Sequence, residues 1–302
     1  MQIVGQPILR GEANMPSSRQ IGCPGEGKMN YSSLLKRYVF ITCMVLLFAH
    51  TVFAEELRLQ RGGVPLGFFK RVFQIQFGNG KGTCFLIEVD DKQYIITARH
   101  VVDGLKDHGS IRILMDKGWE EVRVNLILPD HPKIDIVAMA AERLLAPAMP
   151  IPLESGEPAN FMVGQDVYFL GFPFGLSSPY SGSSIRLPFV KKAIFSGVDP
   201  GGTHVMYLDG INNPGFSGGP VIYANYFQRD RLQIAGVISG YRAETVLVEE
   251  KLIDDTNRLS EDAQKKIIRF VLENTGLIVA FGINEIVSAI RKNPIGIPVA
   301  SH

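Results

Sequence analysis

Cysteine is nearly missing from this chain: Cys23, Cys43 and Cys84 are the three among 302 residues. The first two fall in an N-terminal segment expected to be removed. Cys84 is then alone, which excludes an internal disulfide framework and a cysteine metal site in the mature part. Its neighbours in GTCFLIEV are apolar and alternate, the setting of a buried strand cysteine rather than a reactive thiol. An excess of charge of one sign is lacking too: Lys and Arg number 31, Asp and Glu 30, for a formal net charge of +1. With no Lys/Arg run carrying interleaved aromatics, there is no electrostatic case for nucleic acid as a partner. Internal repeats and low-complexity tracts are also absent. What remains, 46% hydrophobic and 20% charged residues, suits a globular protein of one or two domains with a real core.

The N-terminus reads as a targeting segment. Lys36 and Arg37 precede YVFITCMVLLFAHTVFA, an apolar run that ends in Val52-Phe53-Ala54 with small residues where a signal peptidase reads. Residues 1–54 are therefore expected to be an extension plus signal peptide, cleaved after Ala54, and the protein to be exported, periplasmic or secreted. The alternative is a membrane anchor through residues 38–54, although the run is short for a span and His50 interrupts it. Residues 1–28 are polar, rich in Gly and Pro, and unlike a signal n-region. A start at Met29 would give MNYSSLLKR instead, so the first 28 residues are expected to lie outside the natural product.

From Val64 the pattern is mainly β. RVFQIQF alternates, Gly78-Asn79-Gly80 turns the chain into GTCFLIEV, Asp90-Asp91 turns it again, and QYIIT follows. SIRILM, EEVRVNLILP, IDIVAMA, DVYFLGF, VKKAIFSGV, HVMYLDG, PVIYA and QIAGVISG continue in the same way. Many short strands separated by turn signals predict sandwich or barrel architecture. LAPAMPIPLESGEPAN, rich in Pro, Gly and Ala, reads as a linker between residues 64–150 and 160–292. Further on, Ser260 is predicted to cap a helix with Ile267, Ile268, Val271 and Leu272 on one face and Gly276 as its stop. The acidic stretch from Glu244 to Asp255 reads as a solvated loop, LIVAF as one more strand, and Asn284 to Lys292 as a short helix.

NNPGFSGGPV, Asn212 to Val221, surrounds Ser217 with three glycines and two prolines. Such a turn lets the main chain aim two N–H groups at one point, as a nucleophilic serine requires. A plain Gly/Pro turn between strands is the bland alternative. A base and an orienting acid decide between the two. His100 ends the apolar strand YIITARH, and Asp135 sits among apolar neighbours in KIDIVAM, a costly place for a carboxylate without a partner. Asp135 to fix the imidazole tautomer, His100 to take the hydroxyl proton and Ser217 to attack make a complete nucleophilic set. Taken singly, His100 could be a strand-end or core histidine and Asp135 a turn former.

ITARHVV, KIDIVAM and GFSGGPV resemble the histidine, aspartate and serine motifs of trypsin-like serine peptidases. GFPFG, Gly171 to Gly175, with AIFSGV, resembles the start of the second barrel in the high-temperature-requirement A branch of bacterial proteases. The likeness runs from about Val72 to about Tyr241. It implies two six-stranded antiparallel β-barrels of the chymotrypsin type with C-terminal helices, His100 and Asp135 in the first barrel and Ser217 in the second. It implies a serine endopeptidase acting on polypeptides through an acyl-enzyme, with Gly215 and Ser217 as oxyanion donors and no metal or cofactor. Ile211, six residues before Ser217, would floor the substrate pocket, with Ser239 and Gly240 in its wall, favouring small or medium apolar side chains. Departures are Arg99 before the histidine, no cysteine beside His100, and too little chain after Tyr241 for the PDZ domain of that branch. Phe216 stands where zymogen-activated relatives carry an aspartate that receives a new N-terminal ammonium, so activity is expected without activating cleavage. A catalytically silent double barrel used for binding, and an esterase or acyl transferase on the same residues, are the competing functions. Membrane contact is expected only if residues 38–54 are retained, and the oligomeric state is left open.

Overall fold

The computed structural model describes residue 42 and residues 64–147, 162–180, 186–201, 205–224, 232–250 and 267–299. The segment at 38–54 expected to act in targeting, apart from residue 42, the body of the expected linker and Ser260 lie outside the described residues. Among the described residues no helix is long and apolar enough to cross a membrane.

Twelve strands carry the fold. In the first half they are β1 (Val72–Phe77), β2 (Gly80–Val89), β3 (Lys92–Thr97), β4 (Gly109–Met115), β5 (Gly118–Ile127) and β6 (Val137–Ala141). In the second they are β7 (Asp166–Gly171), β8 (Phe189–Val198), β9 (Val205–Asp209), β10 (Pro220–Ala224), β11 (Leu232–Glu250) and β12 (Ile267–Gly282). Every pairing is antiparallel. In the first half the order is β3-β2-β1-β4-β5-β6, and pairing of β3 with β6 closes the ring. The second half closes as β8-β9-β12-β11-β10-β7. Written from its first strand, each ring runs first, second, third, sixth, fifth, fourth, so two sequences without detectable repetition adopt one connectivity. Closure removes the exposed sheet edges that an open sheet of this length would present.

Alternation in the sequence decides which side chains fill each ring. Ile75, Leu86, Ile95, Ile113, Val122 and Met139 pack inside the first barrel, while Val167, Phe169, Leu208, Val221, Ile238 and Ala280 pack inside the second. A third cluster joins the halves, with Phe85, Ile96 and Ala138 from the first and Leu170, Ile222 and Val237 from the second. Helix α2 (Ile283–Lys292), which follows the four-residue helix α1 (Leu66–Phe69), buries Ile283, Ile286, Val287 and Ile290 in that cluster. Their i, i+3, i+4, i+7 spacing puts them on one face, and burying each stabilises the fold by about 1.5–3 kcal/mol.

Two expectations for the C-terminal part are corrected. Ile267 to Gly276 is not a helix; it belongs to β12, which pairs with β11 along its length. The acidic segment from Glu244 is not a loop as far as Glu250, where it forms the outer part of β11. In both, ladder hydrogen bonds between neighbouring strands override a local preference read from spacing and charge. The later helix, at Ile283–Lys292, is present.

Candidate active site

His100 lies in a 3-10 turn, Arg99–Val102, directly after β3. Val101 and Val102 are buried and anchor the turn, leaving the imidazole about half exposed. Arg99 donates from its guanidinium to the Pro132 carbonyl at 3.3 Å, and so braces the loop leading to Asp135. Asp135 sits just before β6 between Ile134 and Ile136, both buried, which fix its backbone.

The Asp135 carboxylate accepts three hydrogen bonds. The His100 backbone N–H donates to Oδ1 at 2.9 Å, His100 Nδ1 donates to Oδ2 at 2.7 Å, and the Ser239 hydroxyl donates to Oδ2 at 2.5 Å. Burial alone would raise the carboxyl's pKa; the bonds from His100 and Ser239 outweigh it and hold the group below the usual aspartate value. On the imidazole, the hydrogen bond to Asp135 raises the pKa above the usual histidine value, against the opposing effect of burial. With Nδ1–H committed to Asp135, Nε2 is the nitrogen left to take a proton.

Ser217 stands in the turn before β10. Phe216 beside it is fully buried and meets Phe169 edge to face, with ring centroids 4.9 Å apart. The glycines here are required by sterics. Gly215 has φ +105°, and a Cβ on it would lie 2.2 Å from the Phe172 carbonyl oxygen; on Gly218, at φ +85°, it would lie 2.1 Å from that of Thr83. The Pro214 carbonyl accepts from the Phe174 N–H at 2.7 Å. Because the two sides of a trans peptide point opposite ways, that bond turns the Gly215 N–H to the other side. Among the described residues neither Gly215 nor Ser217 spends its N–H on a backbone acceptor. The Ser217 hydroxyl donates to the Ser239 carbonyl at 2.9 Å, not to His100.

The first barrel also grips the turn directly. Thr83 on β2 donates its N–H to the Ser217 carbonyl at 2.8 Å and its hydroxyl to the Gly215 carbonyl at 2.6 Å. The same hydroxyl accepts from the Phe172 N–H at 3.2 Å. Sequence reasoning missed Thr83, which reads as one more residue of an alternating strand.

Ile211, Ser239 and Gly240, expected around a substrate pocket, lie in different settings. Ile211 is 59% exposed and forms no buried floor. Asn212 turns inward in its place, 3% exposed, and its amide donates to the Gly240 carbonyl at 3.1 Å. Ser239 spends its hydroxyl on Asp135 rather than offering it to a ligand side chain. Beside Asp135 lies a cavity of about 390 Å³ bounded by Tyr207, Ser239, Tyr241, Arg242 and Phe281. Cys84 is buried, and burial pushes its thiol far above the ordinary value, so it is chemically silent at neutral pH.

Two closed, six-stranded antiparallel barrels are the architecture of the chymotrypsin fold. Residues 82–226 match the trypsin-like peptidase domain. The comparison with curated proteins found no match. Among solved structures, the chain is similar to a serine endoprotease from Yersinia pestis, at 17% identity over 77% of this chain and 68% of that one, TM-score 0.45. It is similar also to the HtrA-type protease AlgW with a tripeptide, at 15% identity over 75% and 60%, TM-score 0.47. A third likeness is to the inactive form of Rv3671c from M. tuberculosis H37Rv, a serine-to-alanine mutant, at 18% identity over 78% and 92%, TM-score 0.45. The chain thus spans less than two thirds of the AlgW chain.

Proposed function

We propose that the chain hydrolyses peptide bonds through an acyl-enzyme, with Ser217 as nucleophile, His100 as general base and acid, and Asp135 as the group that orients and charges the imidazole. The observation that carries this reading is the 2.7 Å bond from His100 Nδ1 to an Asp135 carboxylate that is itself clamped by Ser239. Rotation of the Ser217 side chain off the Ser239 carbonyl aims its hydroxyl at Nε2. Serine Oγ then bonds to the substrate carbonyl carbon while Nε2 takes the hydroxyl proton. The negative charge that develops on the substrate oxygen is met by the Gly215 and Ser217 N–H groups. Nε2–H delivers its proton to the leaving amine as the C–N bond breaks. Water then repeats the sequence in reverse and releases the acid. A peptide laid along Ser239–Tyr241 would place one side chain over the cavity beside Asp135.

A silent double barrel draws support from one observation, the Ser217 hydroxyl resting on a carbonyl instead of on His100. Labelling with a fluorophosphonate decides between the readings. Wild-type protein is expected to label and to cleave peptides, and Ser217→Ala to do neither while unfolding at the same temperature. Unlabelled, inactive wild-type protein, or a mutant that cleaves at the wild-type rate, would sink the proposal.

A further inference from the structure

We infer that Lys191 is a positioning residue for the nucleophile turn: its half-buried ammonium ties Ile211 and Asn213, at the entry to the turn, to Phe216 beside Ser217 and thereby steadies the two oxyanion donors. The inference rests on the peptidase reading above.

Lys191 is the third residue of β8 and lies opposite Phe169 of β7. Its side chain reaches the segment that precedes the serine. Nζ donates to the Ile211 carbonyl at 2.5 Å and to the Asn213 side-chain oxygen at 2.7 Å, and stands 5.7 Å from the centre of the Phe216 ring. Two of these contacts fall at distinct points of one turn, and the third holds the Ile211 carbonyl just before it. Asn213 opens the turn, since its carbonyl accepts from the Phe216 N–H at 3.2 Å, and Phe216 closes it. Gly215 lies between them and Ser217 follows. The neighbouring Lys192 serves no such purpose, as it pairs at the surface with Asp166.

A lysine is suited to the task. One –NH₃⁺ offers three donors and can satisfy acceptors that diverge in direction, while its charge is attracted to the face of an aromatic ring. Partial burial makes that charge costly unless it is held by such partners, which ties the lysine's position to the turn's. Burial also draws the Lys191 pKa downward. With the cation removed, the Asn213 oxygen and the Phe216 ring lose their common partner. The turn then gains freedom at the point where Gly215 must present its N–H.

The experiment compares Lys191→Met, which keeps the stem and deletes the charge, with Lys191→Arg, which keeps the charge, and with Lys192→Met as control. kcat and KM are measured on a peptide cleaved by the wild type, with thermal unfolding alongside. Lys191→Met is expected to lower kcat by about tenfold to a hundredfold, the range expected when an oxyanion donor is weakened, with KM changed much less. Lys191→Arg should recover a large share of the loss, and Lys192→Met should match wild type. If Lys191→Met does not fold, Asn213→Ala replaces it, since it deletes one acceptor and leaves β8 intact: a fall in kcat supports the inference and wild-type kcat overturns it. Wild-type kcat in Lys191→Met, or no recovery in a folded Lys191→Arg, overturns it as well. A wild-type protein that neither labels nor cleaves refutes the peptidase reading instead.

Discussion

Replacing Thr83 by valine keeps the shape of a fully buried side chain and exchanges one hydroxyl for a methyl group. That hydroxyl has two backbone partners from the other barrel, the Gly215 carbonyl at 2.6 Å and the Phe172 N–H at 3.2 Å. The substitution leaves both without it. A buried backbone group stripped of its partner costs about 1–3 kcal/mol, so the pair should cost roughly 2–4 kcal/mol after local relaxation. Against a total stability on the order of 5–15 kcal/mol, that is a large fraction. The catalytic effect should be separable, because the Gly215–Phe216 peptide lies between the two proposed oxyanion donors, and its loosening should lower kcat about tenfold. Urea unfolding should show a lower midpoint at unchanged slope. Thr83→Ser, which retains the hydroxyl, should regain most of the rate. A Thr83→Val protein within about 0.5 kcal/mol of wild type and with unchanged kcat would refute the reasoning.

The pH dependence has a defined sign. Since the Asp135 bond raises the His100 pKa and catalysis needs the neutral ring, kcat/KM should rise with pH through an ionisation above the usual histidine value. In Asp135→Asn that midpoint should move down as the rate falls; an unmoved midpoint would argue against His100 as the base. Stability follows the same linkage: the His100 contribution is complete below the ordinary histidine pKa and is lost as pH rises through the raised one. The Asp135 contribution is present above the ordinary aspartate pKa and is lost as pH falls through the lowered one, so urea midpoints measured across both ranges should decline at each end. Phe174, at φ +53° with its side chain 68% exposed, holds the Pro214 carbonyl through its N–H alone. Phe174→Gly should therefore preserve activity and leave stability unchanged within about 1 kcal/mol, because relief of the left-handed strain offsets glycine's greater entropy loss; a tenfold loss of kcat would assign the ring a role.

The barrels were legible because period-2 alternation marks the strands, and His100, Asp135 and Ser217 stood out as candidates because a serine among glycines, a strand-end histidine and an aspartate between isoleucines are each unusual. Thr83, Lys191 and Asn212 were not legible, since each is ordinary in its local sequence and acquires its task only where one strand or barrel meets another. Ser239 was read for its place in the wall, whereas its bond to Asp135 depends on the fit between halves. The spacing of Ile267, Ile268, Val271 and Leu272 suits a helix as well as a strand, and the choice was made by β11, which lies outside that window.

Division of the reacting groups between two closed rings also orders events in time. His100 and Asp135 belong to the half that is synthesised first, and Ser217 and its turn to the half that follows. Because Thr83 of the early half supplies two of the bonds on the late turn and a third on Phe172, the full set of contacts around Ser217 exists only once both halves have closed and docked. On the proposed mechanism, a growing chain that has made only its first half carries the base and the acid but not yet the nucleophile.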